Sequence, residues 1–155
     1  MKLSKIYELA VNYGIQQDPR GKDISEYFQN IKKEYRKLKG IEKITFDKES
    51  LTNPFSDTRL LSGNPDSEIK KILVGIDIET AEILLADRIR ERQGLDLALS
   101  HHPEGIAYAG LSEVMSVQGY ILNKLGLHKE AVSDSLKERG QEVARKSFPA
   151  THSRT

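Results

Sequence analysis

The sequence predicts an α/β chain: an N-terminal helical hairpin, then a βαβ unit with parallel strands, then two C-terminal helices. Three observations predict it. Apolar residues recur at helical spacing through residues 1–40. Two short apolar runs, KKILVGID (70–77) and LDLALS (95–100), flank one helical stretch. Helical periodicity then returns from Leu111 onward. At 155 residues the chain is sized for a single α/β domain, with 1–40 as a helical portion and 50–155 as the α/β portion.

The first helix carries Leu3, Ile6, Leu9, Ala10 and Tyr13, with Gly14 near its end. The second starts at Asp23 as N-cap, places Ile24, Tyr27, Phe28, Ile31, Tyr35 and Leu38 on one face, and ends before Gly40. This apolar stripe should pack on the α/β layer, because leaving it in water forgoes roughly 1.5–3 kcal/mol per side chain. KKEYRKLK (32–39) is basic, but its apolar residues interleave at core spacing, which reads as a solvated helix face and not as a nucleic-acid site.

Ile41 to Phe46 is a short strand candidate, followed by the turn-rich LTNPFSD. TRLLSG (58–63) is a second strand candidate, and GNPDSE is a loop. KKILVGID then reads as a buried strand, Thr80 caps a helix running through Gln93, Gly94 closes it, and LDLALS is the second strand. A crossover of this kind is right-handed and makes its strands parallel. Leu111 to Leu125 is a helix with Val114, Met115, Gln118, Ile121, Leu122 and Leu125 as its stripe and Gly126 as its stop. A last helix spans Lys129 to Phe148, with Gly140 a weak point inside it.

Composition narrows function. A net charge of +1 gives no global field for nucleic acid or an anionic membrane. With no cysteine, disulfides, thiolate metal sites and cysteine nucleophiles are excluded, so any metal must use nitrogen and oxygen. The N-terminal stretch is broken by Lys5, Glu8 and Asn12, and no apolar run reaches transmembrane length, so the expected compartment is the cytoplasm.

The chemistry concentrates in LALSHHPEG, residues 97–105. In a parallel βαβ unit the carboxyl ends of both strands lie on one sheet edge, where open α/β folds place their sites. Asp77 and the pair His101 and His102 end successive strands and so share that edge. Regular strand alternation would send the two histidines to opposite faces. Pro103 interrupts it by holding His102 extended and ending ladder pairing, which leaves the rings free to serve two neighbouring metal positions. Imidazole suits borderline divalent metals and also shuttles protons. Glu104 adds a carboxylate next to the pair. The plainer alternatives are two ordinary loop-edge histidines and an aspartate that caps the following helix.

ILVGIDIETAEILLADRIRERQGLDLALSHHPEG resembles the Nif-three-like dinuclear-metal-centre family, whose members are often labelled type-two GTP cyclohydrolase homologues. The resemblance extends back through NPFSDTRLLSG and forward through LSEVMSVQGYILNKLG, fades at FPATHSRT, and is densest at SHHP. It implies that His101 and His102 are metal ligands, one for each of two divalent ions, with Asp77 or Glu104 as an added ligand or a support behind them. It further implies a metal-dependent hydrolase of a nucleotide-like or phosphorylated small molecule, assembled as a homo-oligomer. Arg59 is a candidate contact for a substrate phosphate. The family completes its centre with a later aspartate and a His-x-x-x-Glu pair. Four positions after His101, His102 and His128 stand Gly105, Ile106 and Val132. The expectation is therefore the N-terminal part of such a protein, or a shortened relative, with an incomplete site. The alternative is a non-catalytic oligomeric binding or regulatory module.

Overall fold

A computed structural model describes residues 1–153; the last two residues of the THSRT segment lie outside the described residues. Its helices are α1 (Leu3–Gln17), α2 (Asp23–Lys37), α3 (Gly40–Thr45), α4 (Thr80–Gln93), α5 (Gly105–Ala109), α6 (Leu111–Val114), α7 (Ser116–Lys124) and α8 (Lys129–Ser153). A 3-10 turn spans Lys48–Leu51, and the strands are β1 (Ile72–Gly75) and β2 (Leu97–Ser100). The chain is thus mixed helix and sheet, mostly helical. Among the described residues no helix is long and apolar enough to cross a membrane.

The βαβ unit forms with the predicted parallel pairing, but β1 is not the buried strand the sequence predicts, since among the described residues Ile72 and Val74 have no layer over them and stay exposed. β1 and β2 pair in parallel, with Ile72 opposite Leu97 and Gly75 opposite Ser100. Asp96 clasps the start of the ladder: its carboxylate accepts from the backbone N–H groups of Lys70 and Lys71, both at 2.8 Å. Those two hydrogen bonds hold its carboxyl below the usual carboxylate range. Glu79, not Thr80, is the N-cap of α4, and its backbone N–H donates to Glu82 at 3.0 Å in a capping-box arrangement. Gly94 ends α4 at a φ of 68°, a conformation that costs any residue with a Cβ.

The N-terminal hairpin is present, but its tethers do not follow the predicted route. Phe55 packs against Gly14 so closely that a Cβ there would lie 2.8 Å from the ring. Gly14 therefore belongs inside α1, which continues to Gln17. Asp23 is the first helical residue of α2 and Lys22 its cap. Tyr120 of α7 donates to Asp23 at 2.9 Å, and Lys124 reaches the carbonyl of Pro19 at 3.1 Å. Tyr27, Phe28 and Ile31 are half-buried. The hairpin is thus held by the 47–59 segment, by α7 and, at the start of α1, by residues 65–69, where the N–H groups of Leu3 and Ser4 donate to the carbonyls of Ser67 and Pro65, while Ile72, Val74 and Leu99 of the sheet stay exposed.

A buried polar network anchors the hairpin. Asn53 is 2 % exposed; its amide donates to Tyr7 Oη and to the carbonyl of Thr58, each at 2.7 Å, and its oxygen accepts from the Phe55 N–H at 2.8 Å. Tyr7 in turn donates to Glu49. Burial first, then the Glu49 carboxylate, pushes the Tyr7 phenol well above its ordinary value.

Neither additional strand candidate forms. Residues 41–46 fall mostly in helix α3, where Ile41 and Ile44 stand three apart on one exposed face and Thr45 bonds back to the carbonyl of Ile41 at 3.0 Å. The 58–63 segment is irregular, tied at Thr58 and Arg59 into the network around Asn53. The 111–125 helix breaks at Met115 into α6 and α7, and α8 runs beyond the expected Phe148. Helices α5, α6 and α7 pack on α8, and a Cβ at Gly119 would lie 2.7 Å from Leu136.

Asn53→Ala should destabilise the fold by about 1–3 kcal/mol for each buried partner left unpaired, read as a lower urea midpoint; an unchanged midpoint would count against the network. Asp18 supplies a pH-dependent counterpart. Its burial opposes ionisation, but hydrogen bonds from the Arg20 side chain and backbone outweigh that and lower its carboxyl below the ordinary 3.8. Its contribution should be complete above that value and lost as pH falls through the depressed folded value, so Asp18→Asn should flatten the acid limb of a stability–pH curve.

Candidate functional site

At the carboxyl end of β1 the chain folds back over Gly75. A Cβ there would lie 2.6 Å from Ile78 Cδ1, and Ile78 itself is buried. This fold-back carries Ile76 and Asp77 out at the sheet edge. β2 ends at Ser100, and two backbone hydrogen bonds follow: the His101 N–H donates to the Gly75 carbonyl at 2.9 Å, closing the last registered pair, and the His102 N–H, outside the regular alternation, donates to the Ile76 carbonyl at 2.8 Å. The Ser100 hydroxyl lies 2.6 Å from the His102 carbonyl and 3.2 Å from that of Ile76, and its single proton serves one of them at a time. Pro103, with no N–H, then ends the pairing. Glu104 is the residue from which α5 departs, and Gly105 takes a φ of 54° to begin it.

These restraints bring Asp77, His101 and His102 together. The two imidazole rings have centroids 5.2 Å apart and are tilted by 35°. Asp77 Oδ1 lies 2.7 Å from His102 Nδ1. Asp77 is therefore not the cap of α4, a role taken by Glu79, but the partner of a histidine from the neighbouring strand end. Both side chains are open to solvent, 63 % exposed for Asp77 and 56 % for His102. Among the described residues no three His, Asp or Glu side chains are grouped to hold one ion.

Arg59 stands elsewhere, in the network around Asn53. Its side chain is only 6 % exposed; Nη2 donates to Asp47 at 2.6 Å and Nε to the Ser56 carbonyl at 3.2 Å. Nη1 lies 3.0 Å from Glu49, an ion-pair distance without the alignment of a hydrogen bond. Its charge is thus already matched by two carboxylates. Nearby, burial pushes the Asp57 carboxyl above the usual range. Sequence reasoning read NPFSD only as turn punctuation, and nothing in its pattern separates a buried asparagine from a solvated one. It also missed Ser100, whose place before the histidines was the available signal.

Comparison of the chain with protein-family models, with curated proteins and with solved structures found no match.

Because both rings are exposed, His101→Ala combined with His102→Ala should change folding stability by no more than about 1 kcal/mol, with far-ultraviolet circular dichroism unchanged. A collapse of the urea transition in this double variant would mean that the pair is structural.

Proposed function

We propose that this chain carries part of a metal-dependent hydrolase site of the Nif-three-like kind, with His101 and His102 as metal ligands. The observation that supports this reading most is the meeting of both rings at one sheet edge, 5.2 Å apart, with Asp77 bonded to one of them. Neutral imidazole is the commonest side-chain ligand for borderline divalent metals. The donor chemistry fits such ions; the number does not yet complete a centre, since catalytic metals typically take three or more protein ligands. The reading therefore requires further acidic ligands beyond these side chains. When bound, a pair of divalent ions supplies Lewis acidity and acidifies an attacking water, as hydrolysis of a nucleotide-like or phosphorylated compound demands. The chain's own part is to hold the rings: one backbone hydrogen bond from each histidine fixes its main chain, and Pro103 with Gly105 turns the chain away so that the edge stays open. Arg59 is left out of the proposed site, because its buried guanidinium is matched by Asp47 and Glu49.

Titration calorimetry with zinc or manganese tests the reading. The 155-residue chain should bind weakly, and the His101→Ala, His102→Ala variant should bind at least about tenfold more weakly still, a loss of roughly 1.4 kcal/mol or more. Tight binding that survives in the double variant would place the ligands elsewhere.

A second reading, an oligomeric binding module, is favoured by one observation. Ile72, Val74, Ile76 and Leu99 are 43 %, 66 %, 64 % and 45 % exposed, whereas parallel strands are ordinarily covered on both faces. A second copy of the chain would cover them. Sedimentation should then show a concentration-dependent oligomer that Val74→Glu dissociates; a monomer at every concentration would remove this reading.

A further inference from the structure

We infer that Asp77 is a positioning residue: by accepting a hydrogen bond from Nδ1–H of His102, it fixes that ring in the tautomer whose Nε2 is the free, ligand-facing nitrogen. The use of that nitrogen rests on the metal-ligand reading above, whereas the tautomer itself does not.

A neutral imidazole carries one N–H, on either nitrogen, and the partner of one nitrogen decides the state of the other. An ionised carboxylate only accepts, so a contact of 2.7 Å between Asp77 Oδ1 and His102 Nδ1 places the proton on Nδ1. Nε2 then keeps its lone pair. His101 receives no such direction from Asp77, whose carboxylate engages the ring of His102, while the His101 ring contacts that of its neighbour. The two histidines are therefore inequivalent although adjacent in sequence.

Energetics separate this role from a stabilising one. Both partners are more than half exposed, and exposed pairs of this kind contribute about 0–1 kcal/mol. A contact so weakly coupled to folding is nevertheless approached from both sides by fixed backbone. The His102 N–H is held on the Ile76 carbonyl at 2.8 Å, one residue before Asp77, and the fold-back over Gly75 sets the carboxylate's own position. Carboxylates behind metal-binding histidines orient the ring in this way. With Oδ1 engaged by the ring, Asp77 acts through His102.

The test is a long-range proton–nitrogen correlation spectrum of the metal-free protein with nitrogen-15 histidine, near pH 8.5, about two units above the ordinary imidazole value. His102 should show predominantly the Nδ1–H pattern in the unmodified chain, which requires no variant to fold. In Asp77→Ala it should revert to the mixture given by an unrestrained imidazole, with His101 unchanged. In Asp77→Asn the Nδ1–H preference should fall, since an amide can also donate to Nδ1. A His102 ring that carries its proton on Nε2 in the unmodified protein, or a pattern indifferent to Asp77→Ala, overturns the inference. Zinc titration of the same samples separates this inference from the proposed function. If the unmodified chain binds zinc through the pair, Asp77→Ala should weaken binding about tenfold or more. If no zinc binds although His102 shows the Nδ1–H pattern and loses it in Asp77→Ala, the inference stands and the hydrolase reading falls.

Discussion

Two backbone hydrogen bonds past the end of β2, from His101 to Gly75 and from His102 to Ile76, determine where the chemistry of this chain can occur. They close off a parallel ladder whose strands are only four residues each. In that register Asp77 comes opposite the ring of His102. A slip by one residue would exchange the strand faces and carry the carboxylate away from the imidazole it meets. The site is thus a consequence of pairing register before it is a consequence of side-chain identity.

So short a ladder needs support at both ends, and it has it. At the entrance the Asp96 carboxylate holds two successive N–H groups of the incoming strand, and the Lys71 ammonium reaches the carbonyl of Gln93. Between the strands, the capping box at Glu79 and Glu82 and the left-handed Gly94 fix the limits of α4. At the exit, Ser100 and Pro103 define the last paired residues. The N-terminal half is organised differently, around Asn53, Tyr7, Glu49 and Arg59, whose hydrogen bonds and ion pairs link residues far apart in sequence.

The βαβ unit was legible because its signals agree: two apolar runs, one intervening helix and a glycine at the point where a positive φ is needed. The edge location of Asp77 and the histidines followed from parallel topology alone. Their bond did not, because it depends on the side-chain orientations of Asp77 and His102 beyond the strand ends, which no local pattern encodes. Residues 41–46 were misassigned since Ile41 and Ile44 fit a short strand about as well as one turn of helix, and a six-residue window cannot separate the two periods. The 58–63 segment looked like a strand by composition, but Thr58 and Arg59 answer to Asn53 and its neighbours, contacts that no local pattern encodes.

Amide hydrogen exchange at the two histidines tests the account at its base. If both hydrogen bonds hold, the N–H groups of His101 and His102 should be protected to about the same degree as those within β2, despite exposed side chains, while Glu104, beyond the proline, should exchange faster. Exchange of both histidine amides at the rate of an unstructured loop would contradict the account, since nothing would then hold His102 against Asp77.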